Sequence, residues 1–149
     1  MDSSAALLTR HRVILCHFDT YSTALLFVRW PHGSLLAPTA LPASAAVALA
    51  PAPDVSGLIM DVEVIGVLQA MGVDTAHVKY LHDFNGCADD ENGPVRIHLC
   101  RYMTPDAPKQ AIAALGGEFK HMSALRAADK QELLLLRQVF DLIMAGGGQ

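Results

Sequence analysis

The side chains with the most chemistry at regular spacing lie in VRIHLCRYM, residues 95–103. Successive side chains of a strand point to opposite faces. Val95, Ile97 and Leu99 then share one face, and Arg96, His98, Cys100 and Tyr102 share the other. His82 sits in the preceding strand-like run, and one hairpin register makes it the cross-strand neighbour of His98. Two imidazoles beside a guanidinium, supplied by Arg96 or Arg101, would form a polar pocket suited to an anionic ligand. The plainer reading of the same residues is a sheet surface or a dimer interface.

Other constellations are weaker. His77, His82 and Asp83 precede the acidic run Asp89-Asp90-Glu91, but no pair among them has a standard metal-ligand spacing. Three adjacent acids ordinarily form a solvated turn. Asp54 and Asp61 are seven apart and share a helix face if the helix reaches that far, with Glu63 close by. They read either as a cap and surface acids or as displaced metal ligands. Cys87 has acidic neighbours that raise its pKa, which speaks against a nucleophilic thiolate. No GxSxG, glycine-rich phosphate loop or HExxH occurs, and Gly146-Gly147-Gly148 reads as a frayed end. No catalytic residue, metal ligand or cofactor is therefore expected.

The elements that must carry these residues fit one domain of 149 residues, of which 52% are apolar and 17% charged. So light a charge leaves apolar surface for a partner, and a symmetric homodimer is the simplest. The net charge of -4 and the lack of a basic stripe speak against nucleic-acid binding. Three cysteines without a CxxC pair fit free thiols in a reducing cytoplasm. Met1 to Thr9 has no basic start and does not read as a signal peptide. The uncharged stretch Pro31 to Pro53 contains five prolines, too many for a membrane-spanning helix.

RVILCHF (12–18) and ALLFVRW (24–30) read as a hairpin buried on both faces. Residues 31–53 read as a long Pro/Ala-rich loop, with room for a short strand or helical turn near 43–50. A helix is expected from Asp54 or Ser56 to about Met71, stopped by Gly72. His77 to Phe84 and Val95 to Met103 are expected to form a second hairpin around an acidic loop at 85–93. Thr104-Pro105 opens a helical stretch that ends at Gly116-Gly117, followed by a short strand at 118–122. Asp129 and Glu132 have capping-box spacing before a last helix, with Leu133, Leu136, Phe140 and Ile143 as its buried stripe, widened by Leu135, Val139 and Leu142.

This order of elements resembles the Nudix (MutT-like) superfamily. HRVILCHFDTYSTALLFVRW is similar to that family's opening hairpin, and Trp30-Pro31-His32-Gly33 to the turn before its signature. MGVDTAHVKYLHDF resembles the exit from the signature helix, and VRIHLCRYM, GGEFKHMSAL and ADKQELLLLRQVF the usual ending. The resemblance covers most of the chain and is one of layout and apolar pattern. It implies an α/β fold, a Nudix-like mixed β-sheet sandwiched between helices.

The family signature, G-x5-E-x7-R-E-U-x-E-E-x-G-U with U apolar, gathers helix carboxylates that hold divalent metals against a pyrophosphate. With its closing glycine on Gly72, the opening glycine falls on Pro51 and the first glutamate on Gly57. The Arg-Glu pair falls on Ile65 and Gly66, and the two metal-binding glutamates on Gln69 and Ala70. Val67, Met71 and Val73 keep the apolar frame. The resemblance thus implies a catalytically silent domain acting as a small-ligand-binding, regulatory or assembly module. The competing expectation is a divergent metal-dependent hydrolase of nucleoside-diphosphate-type substrates that uses acids elsewhere.

Overall fold

The computed structural model describes residues 11–19, 21–22, 24–31, 33–37, 41, 46–47, 61–81, 84, 86–90, 93–125 and 130–145. Among the described residues eight strands form one curled mixed sheet, accompanied by three α-helices. The apolar run expected at 12–18 is the strand β1 (His11–Asp19), which turns into β2 (Ala24–Arg29) with Cys16 opposite Phe27 and Asp19 opposite Ala24. Asp19 builds the turn: its carboxylate accepts the Tyr21 N–H at 2.9 Å and the Ser22 N–H at 3.4 Å.

The other edge of β1 pairs in parallel with β7 (Gly93–Tyr102), from His11 opposite Arg96 to His17 opposite Tyr102. These two long strands form the middle of the sheet. Their alternation feeds two core clusters. Ile14 and Cys16 join Ile97, Leu99 and the residues Leu135, Leu136, Val139 and Ile143 of α3 (Lys130–Met144). Val13 and Leu15 join Cys100, Tyr102 and the residues Val64 and Leu68 of α1 (Asp61–Ala70). Both parities of β1 are therefore apolar over the unbroken run VILC. Ile14, Leu15 and Leu99 are fully buried, each contributing about 1.5–3 kcal/mol.

The remaining pairings depart from the sequence expectations. The hairpin partner of β7 is β6 (Gly86–Asp90), with Gly86 opposite Ile97 and Asp90 opposite Gly93. Within the stretch expected to be a loop, Gly86–Asp90 is thus a strand. Gly and Asp have low strand propensity, but pairing outweighs it here: Cys87 and Ala88 are buried against β7. The segment expected to fill that place shrinks to β5 (Val78–Tyr80), which pairs with the far half of β7, Tyr80 opposite Cys100. Residues 31–53 hold two short strands as well as connection. These are β3 (Leu36–Ala37) on β1 and β4 (Ala46–Val47) on β6. The chain from 104 bends rather than coils, and α2 (Lys109–Ala113) begins only after Pro108. The short strand β8 (Glu118–His121) follows as expected and pairs with β2.

On α3 the buried stripe is centred on Leu135, Leu136, Val139 and Ile143, leaving Phe140 38% exposed. Asp129 of the expected capping box lies outside the described residues. Glu132 has a different task. Its carboxylate accepts the Ser34 hydroxyl at 2.6 Å and the Leu35 N–H at 3.0 Å. Among the described residues no helix is long and apolar enough to cross a membrane.

The start expected for α1 at Asp54 or Ser56 lies outside the described residues, but its end is as expected. The Val73 N–H reaches the Leu68 carbonyl and the Gly72 N–H the Gln69 carbonyl, both at 3.0 Å. This paired closure needs a left-handed residue, and Gly72 has φ 95°. Gly72→Ala is expected to cost about 1–2 kcal/mol, mostly from backbone strain. Guanidinium unfolding checks it; an unchanged midpoint would show that the helix end tolerates a side chain.

Candidate functional site

β7 delivers the expected alternation. Arg96 stands opposite His11 on β1, and His98 opposite Val13, so Arg96, His98 and His11 share one face of the sheet. His98 is 4% exposed and uses both ring nitrogens. Its Nδ1 meets the Tyr80 hydroxyl at 2.8 Å and its Nε2 meets His11 Nδ1 at 3.0 Å. The His11 and His98 rings stack with centroids 5.3 Å apart. Burial first, then the nearby His11 and Arg96, push the His98 pKa down to about 3. The ring is neutral at physiological pH and carries one proton. Either Tyr80 donates to Nδ1 while Nε2–H donates to His11, or the chain runs in the reverse sense. His98 is thus a bridge inside the protein, joining β1, β5 and β7.

Of the other expected ligand residues, the structure separates Arg101 from His98. Arg101 belongs to the opposite face, where its guanidinium lies 5.3 Å from the centre of the Phe18 ring and donates to the Phe18 carbonyl at 3.4 Å. Arg96 is half-buried near Cys87. His82 and Asp83 lie outside the described residues. Cys16 and Cys87 are both held toward the protonated thiol. Burial raises Cys16 to about 12 despite the nearby Arg101. Cys87 is raised as its sequence suggests, though chiefly by burial and only then by Asp89.

A concave site lies elsewhere on the face that carries His98. The cross-strand pairs Tyr102–His17, His17–Leu26 and Leu26–His121 make a row across four strands. His17, Leu26 and His121 line a cleft of about 380 Å³. Asp19 lines it from the end of β1, and Asp106 and Lys109 from the bent segment before α2. Its volume falls in the range of small-molecule sites, which is ~300–1,000 Å³.

His17 is the unusual member. It is 2% exposed. Its Nε2 lies 2.9 Å from the Thr104 carbonyl, which can only accept, so Nε2 holds the proton. In the neutral ring Nδ1 is then a bare acceptor, and it is buried with no partner among the described residues. Such an atom costs about 1–3 kcal/mol. The Lys109, His121 and Asp106 side chains also lack polar partners among the described residues. Sequence reasoning passed over this site because His17 ends an apolar run and reads as part of it. The one available signal was a polar residue at the parity of Val13 and Leu15.

No three His, Cys, Asp or Glu side chains converge as a metal site among the described residues. Gln69 and Ala70, where the resemblance alone would put two glutamates, are exposed, and Gln69 donates to the Thr75 hydroxyl at 2.9 Å. No family model and no curated protein matches the chain.

Proposed function

We propose that the chain is a catalytically silent Nudix-like domain that binds a small polar ligand in the His17 cleft. The observation that carries the binding reading is a cleft of about 380 Å³ beside His17, lined by the Asp106, Lys109 and His121 side chains, which lack polar partners among the described residues. The Nudix-like layout, a sheet sandwiched between helices, is supported by the two core clusters, one containing α3 residues and the other α1 residues. Silence is supported by Gln69 and Ala70, which offer no carboxylate where the family clusters its metal ligands.

Calorimetry with magnesium and manganese, alongside a pyrophosphate-release screen of nucleoside-diphosphate compounds, tests the reading. The expected outcome is neither saturable metal binding nor release. Metal-dependent turnover that Asp61→Ala abolishes would overturn silence in favour of the divergent hydrolase. A fragment screen followed by the histidine imidazole resonances tests the binding half: the expected hits perturb His17, and hits confined to other histidines would remove the cleft from the reading.

A further inference from the structure

We propose that α3 pairs with a second copy of itself, the two helices running antiparallel about a two-fold axis. The surface is a stripe beside the core-facing side of the helix. Leu133, Arg137, Phe140 and Met144 follow one another at steps of four, three and four residues, the spacing of a seam between paired helices. Phe140 is 38% and Met144 41% exposed, Arg137 is exposed and Leu133 half-buried. The opposite flank of α3 is taken within the chain by β4, where Gln131 Oε1 accepts the Val47 N–H at 2.6 Å. With the axis passing between residues 138 and 139, Leu133 faces Met144 of the second copy, and Arg137 faces its Phe140. None of the cleft-lining residues belongs to α3, so the pairing is independent of the ligand reading.

Charge complementarity selects a second copy as the occupant. Arg137 and Asp141 are exposed and have no polar partner among the described residues. They stand four apart in the order base then acid, the weaker order for a pair within one helix. In the antiparallel register each Arg137 comes beside both Phe140 and Asp141 of the other copy. The ring face takes the guanidinium, and the carboxylate takes its N–H fork. The two-fold axis makes each contact twice and closes both ends with a Leu133–Met144 pair. A surface that answers its own charges and its own apolar groups under rotation is isologous. A foreign helix of one charge would satisfy only one of the two groups. The stripe runs about 16 Å along the helix. Such a contact lies at the small end of interface sizes, and a dissociation constant on the order of 10–100 μM is expected.

Sedimentation equilibrium of the full chain, over concentrations on both sides of that constant, tests the pairing. Phe140→Asp is expected to weaken the dimer about 30-fold, as loss of a central aromatic contact does. Arg137→Asp sets acid against acid across the axis and should weaken it about ten-fold. Arg137→Asp/Asp141→Arg is expected to recover part of that loss. Circular dichroism checks that each variant folds, and the exposed position of Arg137 keeps the test open if Phe140→Asp does not. The register is read from the variant Leu133→Cys/Met144→Cys. Those positions are about 16 Å apart along one helix, beyond the reach of a disulfide, so they can bridge each other only between copies. The native thiols Cys16, Cys87 and Cys100 are buried. Under oxidation the double variant is expected to form covalent dimers, and either single variant to do so far more slowly. Single variants that link as fast as the double would overturn the antiparallel register. A monomer at every concentration overturns the proposal and leaves the stripe to a different partner. A dimer unaffected by both Phe140→Asp and Arg137→Asp uses another surface and overturns it equally.

Discussion

Glu132→Ala is expected to lower the unfolding free energy by about 3 kcal/mol, among the largest effects of any polar substitution in the chain. Glu132 is 7% exposed and lies in the first turn of α3. Its carboxylate holds the Ser34 hydroxyl and the Leu35 N–H, 98 and 97 residues away in sequence. The Ser34 hydroxyl oxygen in turn accepts the Leu36 N–H at 3.0 Å, which fixes the start of β3 beside β1. Alanine removes both charge-assisted bonds and strands the Leu35 N–H in a buried position. Glu132→Gln keeps the shape and one acceptor oxygen, so about half the loss is expected. Urea unfolding of both variants checks the order. Equal midpoints for wild type and Glu132→Ala would show that solvent replaces the carboxylate without cost. The double variant Ser34→Ala/Glu132→Ala should lose less than the sum of the singles, because the two side chains share one bond.

The second large effect is a pH dependence. In the unfolded chain the His98 imidazole titrates near its ordinary 6.5, whereas in the fold it is held near 3. Burial is the first cause. His11 on β1 and Arg96 on β7 add to it, and the Tyr80 hydroxyl on β5 occupies the remaining nitrogen. Below pH 6.5 the unfolded chain takes up a proton that the folded chain refuses. Stability is therefore complete above pH 6.5, falls as the pH drops, and stops falling near pH 3, where the folded ring also protonates. The slope approaches 1.4 kcal/mol per pH unit, so about 2 kcal/mol should be lost between pH 7.5 and pH 5. Carboxylates such as Asp19 and Glu118, whose pKa values are lowered, act in the same direction at lower pH. Denaturant unfolding of wild type and His98→Asn across this range separates the contributions. The difference between the two curves should shrink as the pH falls from 6.5 to 4. Parallel curves would mean that His98 does not carry the titration.

These effects also mark how far the sequence reaches. Local periodicity was enough for the β1–β2 hairpin, for the split of β7 into Ile97 and Leu99 on one side and His98 and Tyr102 on the other, and for the existence of α3. It was also enough for the end of α1, because only glycine adopts the backbone of position 72 without strain. The alternation even places Arg101 opposite to Arg96 and His98, so a pocket built from all three was never available to one strand. That Gln69 and Ala70 offer no carboxylate was readable directly.

Pairing was not readable. Whether β5 or β6 closes the hairpin with β7 turns on which segment buries its alternate residues, and Ala88 does so although the strand ends in two aspartates. The acidic composition pointed to a loop because propensity is local and burial is not.

By itself, then, the sequence determined the central elements and their apolar faces, since each depends on neighbours within a turn or a strand. Only the tertiary structure decided that Glu132 holds Ser34 rather than its own helix, and that His98 is a bridge between strands. It alone assembled His17, Leu26 and His121 into the floor of a cleft. Those groups meet through registers between strands far apart in the chain, and a register is set by the packing of the whole sheet.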